Sequence, residues 1–388
     1  MIINSRSLFQ WATVLILFCS FPAGVFAWPV PDTGQTACYD DAGNIISCPS
    51  AGLPFYGQDG NYTINPMSFT KLNAAGKAMP ADESAWVMVR DNVTGLIWEV
   101  KQDKDGVENY VNPHDADNVY TWYDSNPATN GGNAGTPGQG TDTEDFINAL
   151  NTDRYGGYND WRLPTARELE SIIDCGTLFP APSINATFFP NTAASWYRSS
   201  TTMADEITVP IDVSFFYGLG VYYFSKAYAY SARAVRGEGV GKPLNVQKNG
   251  TVTDPESGLM WQQAAPAGTF NWQQALDYAE SLSLAGHQDW RLPTIKELQT
   301  IANFTGDPAF TRAFPDMMNP SSSPFLSSTS WPPDSSYVWA VSFGQDIGQP
   351  YLKGDPGKIR VVRGGKAGSD NDNNRGCFIR TIHDSGCR

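Results

Sequence analysis

One block of eleven residues occurs twice in the chain, and this internal repeat limits the possible folds more than any other feature. Residues 159–169 read NDWRLPTAREL and residues 288–298 read QDWRLPTIKEL, so eight of the eleven positions are identical. Further pairs of shorter blocks keep the same order along the chain, among them residues 213–215 with 341–343. Self-similarity over this length is typical of tandem structural units. The sequence therefore predicts two degenerate copies of one compact module.

The predicted organisation begins with an export signal. Arg6 precedes an apolar run, and Val25 and Ala27 are the small residues expected at the third and first positions before a cleavage site. A retained membrane anchor is the alternative, but the uninterrupted apolar stretch is shorter than the roughly 20 residues of a spanning helix. Cleavage after Ala27 leaves a chain in which we expect no membrane span. The predicted units are a signal peptide (1–27), an N-terminal extension (28–85), the first copy (86–237), the second copy (246–364), and a polar linker with a cysteine-loop tail (365–388).

Local signals predict the secondary structure of each copy. Three pairs have the spacing of capping boxes, which satisfy free amides at a helix start: Thr165 with Glu168, Thr294 with Glu297, and Asn271 with Gln274. The earlier helix of the first copy is expected to start near Thr141. Segments 207–215, 221–229 and 338–343 are rich in β-branched and aromatic residues. The order of short strand, two helices and several strands predicts an α+β fold.

The first copy carries an insert of about 34 residues around positions 102–143 that the second copy lacks. Its segment 130–140 is built almost entirely of Gly, Asn, Thr and Pro, a composition that excludes a regular helix or strand. Two interpretations stay open for this loop. It is either flexible or in contact with a ligand.

The repeated block itself is interpreted as a motif that holds the fold. Its aspartate and arginine can tie a loop by charge-assisted hydrogen bonds while the tryptophan is buried, and its proline ends the preceding extended segment. Both copies close on Arg-x-x-Arg-Gly, read as a final strand whose arginines meet acidic partners inside the module. The residues assigned to the fold-holding motif are Asp160, Trp161, Arg162, Asp289, Trp290 and Arg291.

Five cysteines follow the predicted signal. Cys38 with Cys48 and Cys377 with Cys387 are the economical disulfide pairs, since each closes a small loop and export permits oxidation. Cys175 is then left over. We interpret it as a buried apolar thiol, with a catalytic nucleophile as the alternative.

The composition excludes several classes of partner and cofactor. A formal net charge of −14 lacks the basic field that nucleic acids require, so we expect no nucleic-acid partner. None of the three histidines has metal-ligand spacing with another histidine or with a cysteine, so no metal site is predicted. Calcium stays open at segments 103–106 and 370–374, although neither has the glycine and glutamate of a complete calcium loop. No cofactor is predicted.

Aromatic residues crowd the segment between positions 215 and 230 of the first copy. They exceed what one strand face can bury, and tyrosine rings bind sugars or proteins through an apolar face with a polar edge. We name Tyr217, Tyr222 and Tyr223 as candidate ligand-binding residues. The alternative is that the second face of this segment packs against the other copy.

The repeated motifs resemble the DUF1566 family, named also for the C-terminal domain of the Legionella collagen-like adhesin. The resemblance implies tandem C-type-lectin-like modules with short helices and a twisted antiparallel sheet in each. It also implies, for some relatives, binding to glycans, including sulfated ones. Many members have a cysteine in the closing strand, where this chain has Ala234 and Val361. The acidic balance favours a neutral glycan over a sulfated one.

These observations predict an exported, non-catalytic recognition protein of adhesin-like type that binds a glycan or an extracellular surface protein. It is expected to be secreted, periplasmic or at the cell surface. One alternative is a thiol-dependent enzyme that uses Cys175 on a fold related to formylglycine-generating enzymes. The other is a structural component of the envelope.

Overall fold

The computed structural model describes residues 28–177, 182–216, 218, 221–239, 243–317, 323–343 and 347–365. The predicted signal peptide lies outside these residues, and so do Tyr217, Cys377 and Cys387. Within the described ranges, every helix is too short or too polar to cross a membrane.

The N-terminal extension and the first copy form short elements joined by long loops. Their strands and helices are β1 (Cys38–Tyr39), β2 (Ile45–Ile46), β3 (Phe69–Leu72), β4 (Met88–Asp91), β5 (Ile97–Glu99), β6 (Tyr120–Thr121), α1 (Thr143–Thr152), α2 (Ala166–Ser171), β7 (Trp196–Tyr197), β8 (Ile211–Ser214), β9 (Val221–Tyr223), β10 (Ala229–Tyr230) and β11 (Val235–Arg236).

The second copy repeats this order and adds one helix. Its elements are β12 (Asn245–Val246), β13 (Thr251–Thr253), β14 (Leu259–Gln262), α3 (Trp272–Ser281), α4 (Ile295–Gln299), α5 (Pro308–Ala313), β15 (Phe325–Ser330), β16 (Tyr337–Ser342), β17 (Ile347–Leu352) and β18 (Val362–Gly364).

The strands of both copies form small antiparallel sheets. The four-stranded sheets have the orders β11-β5-β4-β3 and β12-β13-β14-β18, and the three-stranded sheets have the orders β7-β8-β9 and β15-β16-β17; the first copy has a further two-stranded sheet, β10-β6. The mixed α and β composition is confirmed, but the strands of each copy are divided among small sheets rather than joined in the single sheet expected. In both copies the final strand, β11 or β18, returns to pair with an opening strand, whereas the strands just after the helices form the three-stranded sheet. Strand β3, from the predicted extension, pairs with β4 of the first copy.

The predicted capping boxes are present. The side chains of Thr165, Asn271 and Thr294 each accept a hydrogen bond from the backbone N–H three residues later, and the backbone N–H of each cap residue donates to the Glu or Gln side chain at that position. Helix α1 is capped by Asp142, one residue after the start expected from the sequence. The sequence could therefore predict where these helices begin, because each capping box depends on two residues that are three positions apart.

The two copies share one hydrophobic core. A single cluster of buried side chains includes Trp98 and Ile172 of the first copy and Trp261 and Ile301 of the second. Helices α2 and α4 lie against each other at the centre of this seam.

Equivalent cations of the two helices cross the seam in opposite directions. Lys296 Nζ donates to the carbonyl oxygen of Ser171 at 3.0 Å, and Arg167 Nη2 donates to the carbonyl oxygen of Ala302 at 3.2 Å. Each cation thus meets the C-terminal end of the other copy's helix, where the helix dipole favours positive charge. The copies are paired with approximate two-fold symmetry.

The N-terminal extension packs on the second copy. Its predicted disulfide, Cys38–Cys48, is present. Gln35 exchanges two hydrogen bonds with the backbone of Ser330, and Asp59 accepts one from Thr329 Oγ1 at 2.6 Å. The extension therefore contacts both copies, because this part of it packs on the second copy and its strand β3 joins the sheet of the first.

Candidate ligand surface on the first copy

The repeated motif forms two separate ion pairs in each copy. In the first copy, Arg162 pairs with both oxygens of Glu168, at 2.7 and 2.6 Å, while Asp160 accepts from Arg236 of the final strand at 2.8 Å. Trp161 is buried and donates its indole N–H to the carbonyl oxygen of Tyr155. The aspartate and the arginine therefore tie different segments, the final strand and the start of α2.

The second copy repeats this geometry. Arg291 pairs with Glu297 at 2.6 Å on both oxygens, and Asp289 accepts from Arg363 at 2.7 Å. Trp290 is buried in the same way. The charged side chains of the motif therefore already form ion pairs within each copy, and this leaves them less able to bind a ligand.

The backbones of two candidate tyrosines, Tyr222 and Tyr223, lie near the seam between the copies, and Tyr217 lies outside the described residues. The backbones of Tyr222 and Tyr223 belong to β9, which pairs with the buried strand β8. Strand β9 also lies beside β17 of the second copy. The position of its backbone fits the alternative that part of the aromatic segment packs against the other copy.

A surface cluster of aromatic rings lies next to this strand. The rings of Trp196 and Phe224 are 5.6 Å apart, and the rings of Phe224 and Tyr230 are 4.8 Å apart. Tyr228 is 61% exposed. We call Trp196, Phe224, Tyr228 and Tyr230 the aromatic surface. Trp196 was missed by the sequence analysis because it lies far along the chain from the aromatic segment.

A buried ion pair supports the aromatic surface from below. Arg198 and Asp212 are both fully buried, with Nη1 and Oδ2 2.7 Å apart. Arg198 also donates to the carbonyl oxygens of Ser225 and Tyr228, and its guanidinium carbon lies 4.9 Å from the centre of the Tyr230 ring. One arginine thus fixes the turn 225–228 that presents Tyr228 to solvent.

Burial disfavours the charged form of both members of this pair. It raises the pKa of Asp212 to about 7, against the opposing effect of Arg198, and it lowers the pKa of Arg198. Among the described residues, Asp212 Oδ1 and Arg198 Nε have no hydrogen-bond partner. Buried polar atoms without partners are costly and often mark sites where function outweighs stability.

The second copy lacks the ion pair and most of the rings above it. Of the four ring positions, the one held by Phe224 keeps an aromatic residue, Tyr351. Counting from the shared block 213–215 and 341–343, the strand registers place Leu326 where Arg198 lies and Ala340 where Asp212 lies. Counting back from the closing arginines, Gly357 takes the place of Tyr230 and Asp355 that of Tyr228. The aromatic surface is therefore a feature of one copy.

Both copies bury a lysine over a tryptophan face. Lys226 Nζ lies 3.7 Å from the ring centre of Trp122, and Lys353 Nζ lies 4.0 Å from that of Trp272. Burial lowers the pKa of Lys226 to about 8 and that of Lys353 to about 7. These positions are equivalent, but different segments cover them.

The glycine-rich insert covers the lysine of the first copy. Lys226 Nζ donates to the carbonyl oxygens of Asn130 and Asn133, at 3.1 and 2.6 Å. In the second copy the extension does this, since Lys353 Nζ donates to the carbonyl oxygen of Asp40 at 3.0 Å. From its sequence, the insert is expected to be either flexible or in contact with a ligand. The structure shows a different role, since the insert covers the lysine that packs on Trp122.

The structure places Cys175 in the core. It is 3% exposed, burial raises its pKa, and its backbone N–H donates to the carbonyl oxygen of Thr33. The nucleophilic thiolate is therefore strongly disfavoured. His114 bonds to Glu99 at 2.9 Å, and the described residues contain no cluster of three His, Cys, Asp or Glu that could hold a metal ion.

A small cavity lies at the seam. It has a volume of about 10 Å³, room for one water molecule. Glu170 and Lys296 line it together with Trp28. Its size excludes a sugar, so the aromatic surface is the stronger candidate for ligand binding.

The fold defines a protein of two tandem modules of mixed α and β structure. Residues 87–236 and 250–363 match the Lcl C-terminal domain family, which covers more than half of the chain. The protein therefore belongs to this family and contains two tandem copies of its domain. No curated protein matches the chain.

Proposed function

We propose that this protein is an exported, non-catalytic recognition protein that binds a glycan at the aromatic surface of its first copy. The observation that carries the proposal is the group of exposed and half-buried rings above the Arg198–Asp212 pair, which the second copy lacks. Aromatic faces contact the apolar faces of sugars, and tyrosine hydroxyls bond their edges. We retain Tyr217, Tyr222 and Tyr223 as proposed ligand residues.

The family and the cysteine chemistry support an extracytoplasmic location. The Lcl C-terminal domain family suggests an adhesin-like surface protein. The Cys38–Cys48 disulfide fits an oxidising compartment, so we propose that the protein is secreted, periplasmic or at the cell surface. We also propose that each copy has a C-type-lectin-like fold.

The alternatives have weaker support. A protein partner fits the same surface, since tyrosine and tryptophan are enriched in protein interfaces. A thiol enzyme needs an accessible thiolate, and the buried Cys175 does not supply one. A structural envelope component would be recognised by regular self-assembly of the purified protein.

A glycan array probed with residues 28–388 tests the proposal. Tyr228→Ala should weaken a reproducible hit at least fivefold, because it removes the most exposed ring of the surface. Val111→Ala is the matched control, since Val111 is also exposed and lies in the same copy. A blank array, or a hit that Tyr228→Ala leaves intact, would contradict glycan binding at this surface and favour a protein partner or a structural role.

A further inference from the structure

Two acidic loops border the aromatic surface. The backbone N–H of Lys226 donates to the carbonyl oxygen of Thr208 at 3.1 Å, which joins the turn 225–228 to the loop 203–209. Asp205 and Glu206 are exposed in that loop.

A third carboxylate approaches from the insert. The backbone N–H of Trp122 donates to the carbonyl oxygen of Lys226 at 2.9 Å, so the chain that leads to Asp124 runs beside the turn. The charge of Asp124 acts on Lys226 and raises its pKa against the effect of burial. We call Asp124, Asp205 and Glu206 the acidic rim.

The cations that touch the turn are withdrawn from solvent. Arg198 is fully buried and paired with Asp212, and Lys226 is buried over Trp122 with its ammonium donated to backbone carbonyls. Neither can meet an anionic ligand without breaking these contacts. The charge that the surface shows to solvent is therefore negative, and it repels anions.

The loop and the turn also expose apolar side chains. Ile207 is exposed in the same loop as Asp205 and Glu206, and Tyr228 is exposed at the turn. Aromatic faces attract cations through their quadrupole, and nearby carboxylates add Coulomb attraction. Rings and carboxylates together complement a ligand that combines apolar sugar faces with ammonium groups.

We infer that the aromatic surface of the first copy selects a glycan with free amino groups over an acetylated or a sulfated one. This inference rests on the proposed function and names the ligand class of that site. It departs from the sulfated ligands that the family resemblance implies for some relatives. The acidic rim is the reason, because each sulfate would face a carboxylate without an accessible cation.

Three oligosaccharides of equal length test the inference on residues 28–388 by calorimetry at about pH 6. They are a chitosan oligomer with free amines, the matching chitin oligomer with acetylated amines, and a heparin oligomer. The chitosan oligomer should bind about threefold to tenfold more tightly than the chitin oligomer, the range that one or two exposed ion pairs provide. The difference should shrink when salt is raised, because exposed ion pairs are screened.

A pair of variants locates the effect. Asp205→Asn with Glu206→Gln should weaken chitosan binding about threefold or more. Asp277→Asn with Asp355→Asn removes the same charge from exposed positions of the second copy and should leave chitosan binding unchanged.

The outcomes separate the two proposals. Equal or tighter binding of the chitin or heparin oligomer, or an affinity for chitosan that Asp205→Asn with Glu206→Gln does not change, overturns the preference for amines alone. If none of the three oligomers binds, glycan recognition at this surface fails as well.

Discussion

The two copies fill equivalent buried positions with side chains of opposite character, charged in the first copy and apolar in the second. Beside the shared block, the first copy buries Arg198 and Asp212, whereas the second copy buries Leu326 and Ala340 on the equivalent strands. A buried ion pair is often no more stable than well-packed apolar side chains of similar volume. The second copy therefore shows that the module folds without the pair.

The difference shows where the proposed binding surface departs from the fold that the two copies share. Arg198 also donates hydrogen bonds to carbonyl oxygens of the turn 225–228, so the ion pair connects the core to the exposed Tyr228. The equivalent turn of the second copy bears Asp355 and has no arginine beneath it. The two copies are thus natural controls for each other.

The largest expected effect is on stability, and it comes from removing one member of the ion pair that distinguishes the two copies. Arg198→Leu alone should lower the free energy of unfolding by about 3–5 kcal/mol, because it leaves Asp212 buried without its cation. Arg198→Leu combined with Asp212→Ala copies the second module and should recover most of that loss. Denaturant unfolding of both variants measures the difference.

The same double variant separates stability from recognition. Its turn 225–228 loses the donor that holds it, so glycan binding should remain weak even though the fold is restored. A double variant that binds as well as the unmodified protein would show that the buried pair does not position Tyr228.

A smaller effect sharpens the comparison at the repeated motif. Arg291 is 5% exposed and Arg162 is 33% exposed, because the extension packs on the second copy and brings Tyr62 close to Arg291. Arg291→Ala should therefore destabilise the protein by about 2–4 kcal/mol, and Arg162→Ala by about 1 kcal/mol.

Thermal unfolding in the same buffer compares these two arginine variants. The proposed fold-holding role of the motif would be wrong for the second copy if Arg291→Ala unfolded like the unmodified protein. Equal losses for both variants would instead show that the extension does not set the difference.

Short-range signals predicted the parts of the fold that depend on neighbours in sequence. The capping boxes at Thr165, Asn271 and Thr294 span three residues, and the Cys38–Cys48 disulfide closes a loop of ten. The repeat likewise predicted that the same elements would recur. Each of these features is visible in a short stretch of sequence or, for the repeat, in the comparison of two such stretches.

The candidate site could not be read in this way. Arg198 and Asp212 lie on neighbouring strands, and nothing in their sequence context marks an arginine as fully buried. The contacts of Gln35 with Ser330 join residues 295 positions apart. Such contacts depend on how the copies and the extension dock, which local patterns do not encode.

A third comparison lies at the seam, where Glu170 of the first copy is equivalent to Gln299 of the second. Burial raises the pKa of Glu170 to about 8, although Arg167 and Lys296 lower it, and its Oε1 has no hydrogen-bond partner among the described residues. The folded protein therefore keeps this proton while the unfolded chain loses it above about pH 4.5. Stability from this group falls as pH rises from about 4.5 to about 8.

Glu170→Gln copies the second module and removes this titration. The variant and the unmodified protein should be nearly equally stable at about pH 3.5, where Glu170 is mostly protonated in both states. By about pH 7 the variant should be more stable by up to about 3 kcal/mol, since each pH unit between the two pKa values contributes about 1.4 kcal/mol. Asp59 and Asp212, whose pKa values burial raises to about 7, titrate in both proteins and cancel in the difference. Chemical denaturation at the two pH values measures it, and a constant difference across them would show that Glu170 is ionised within the folded seam.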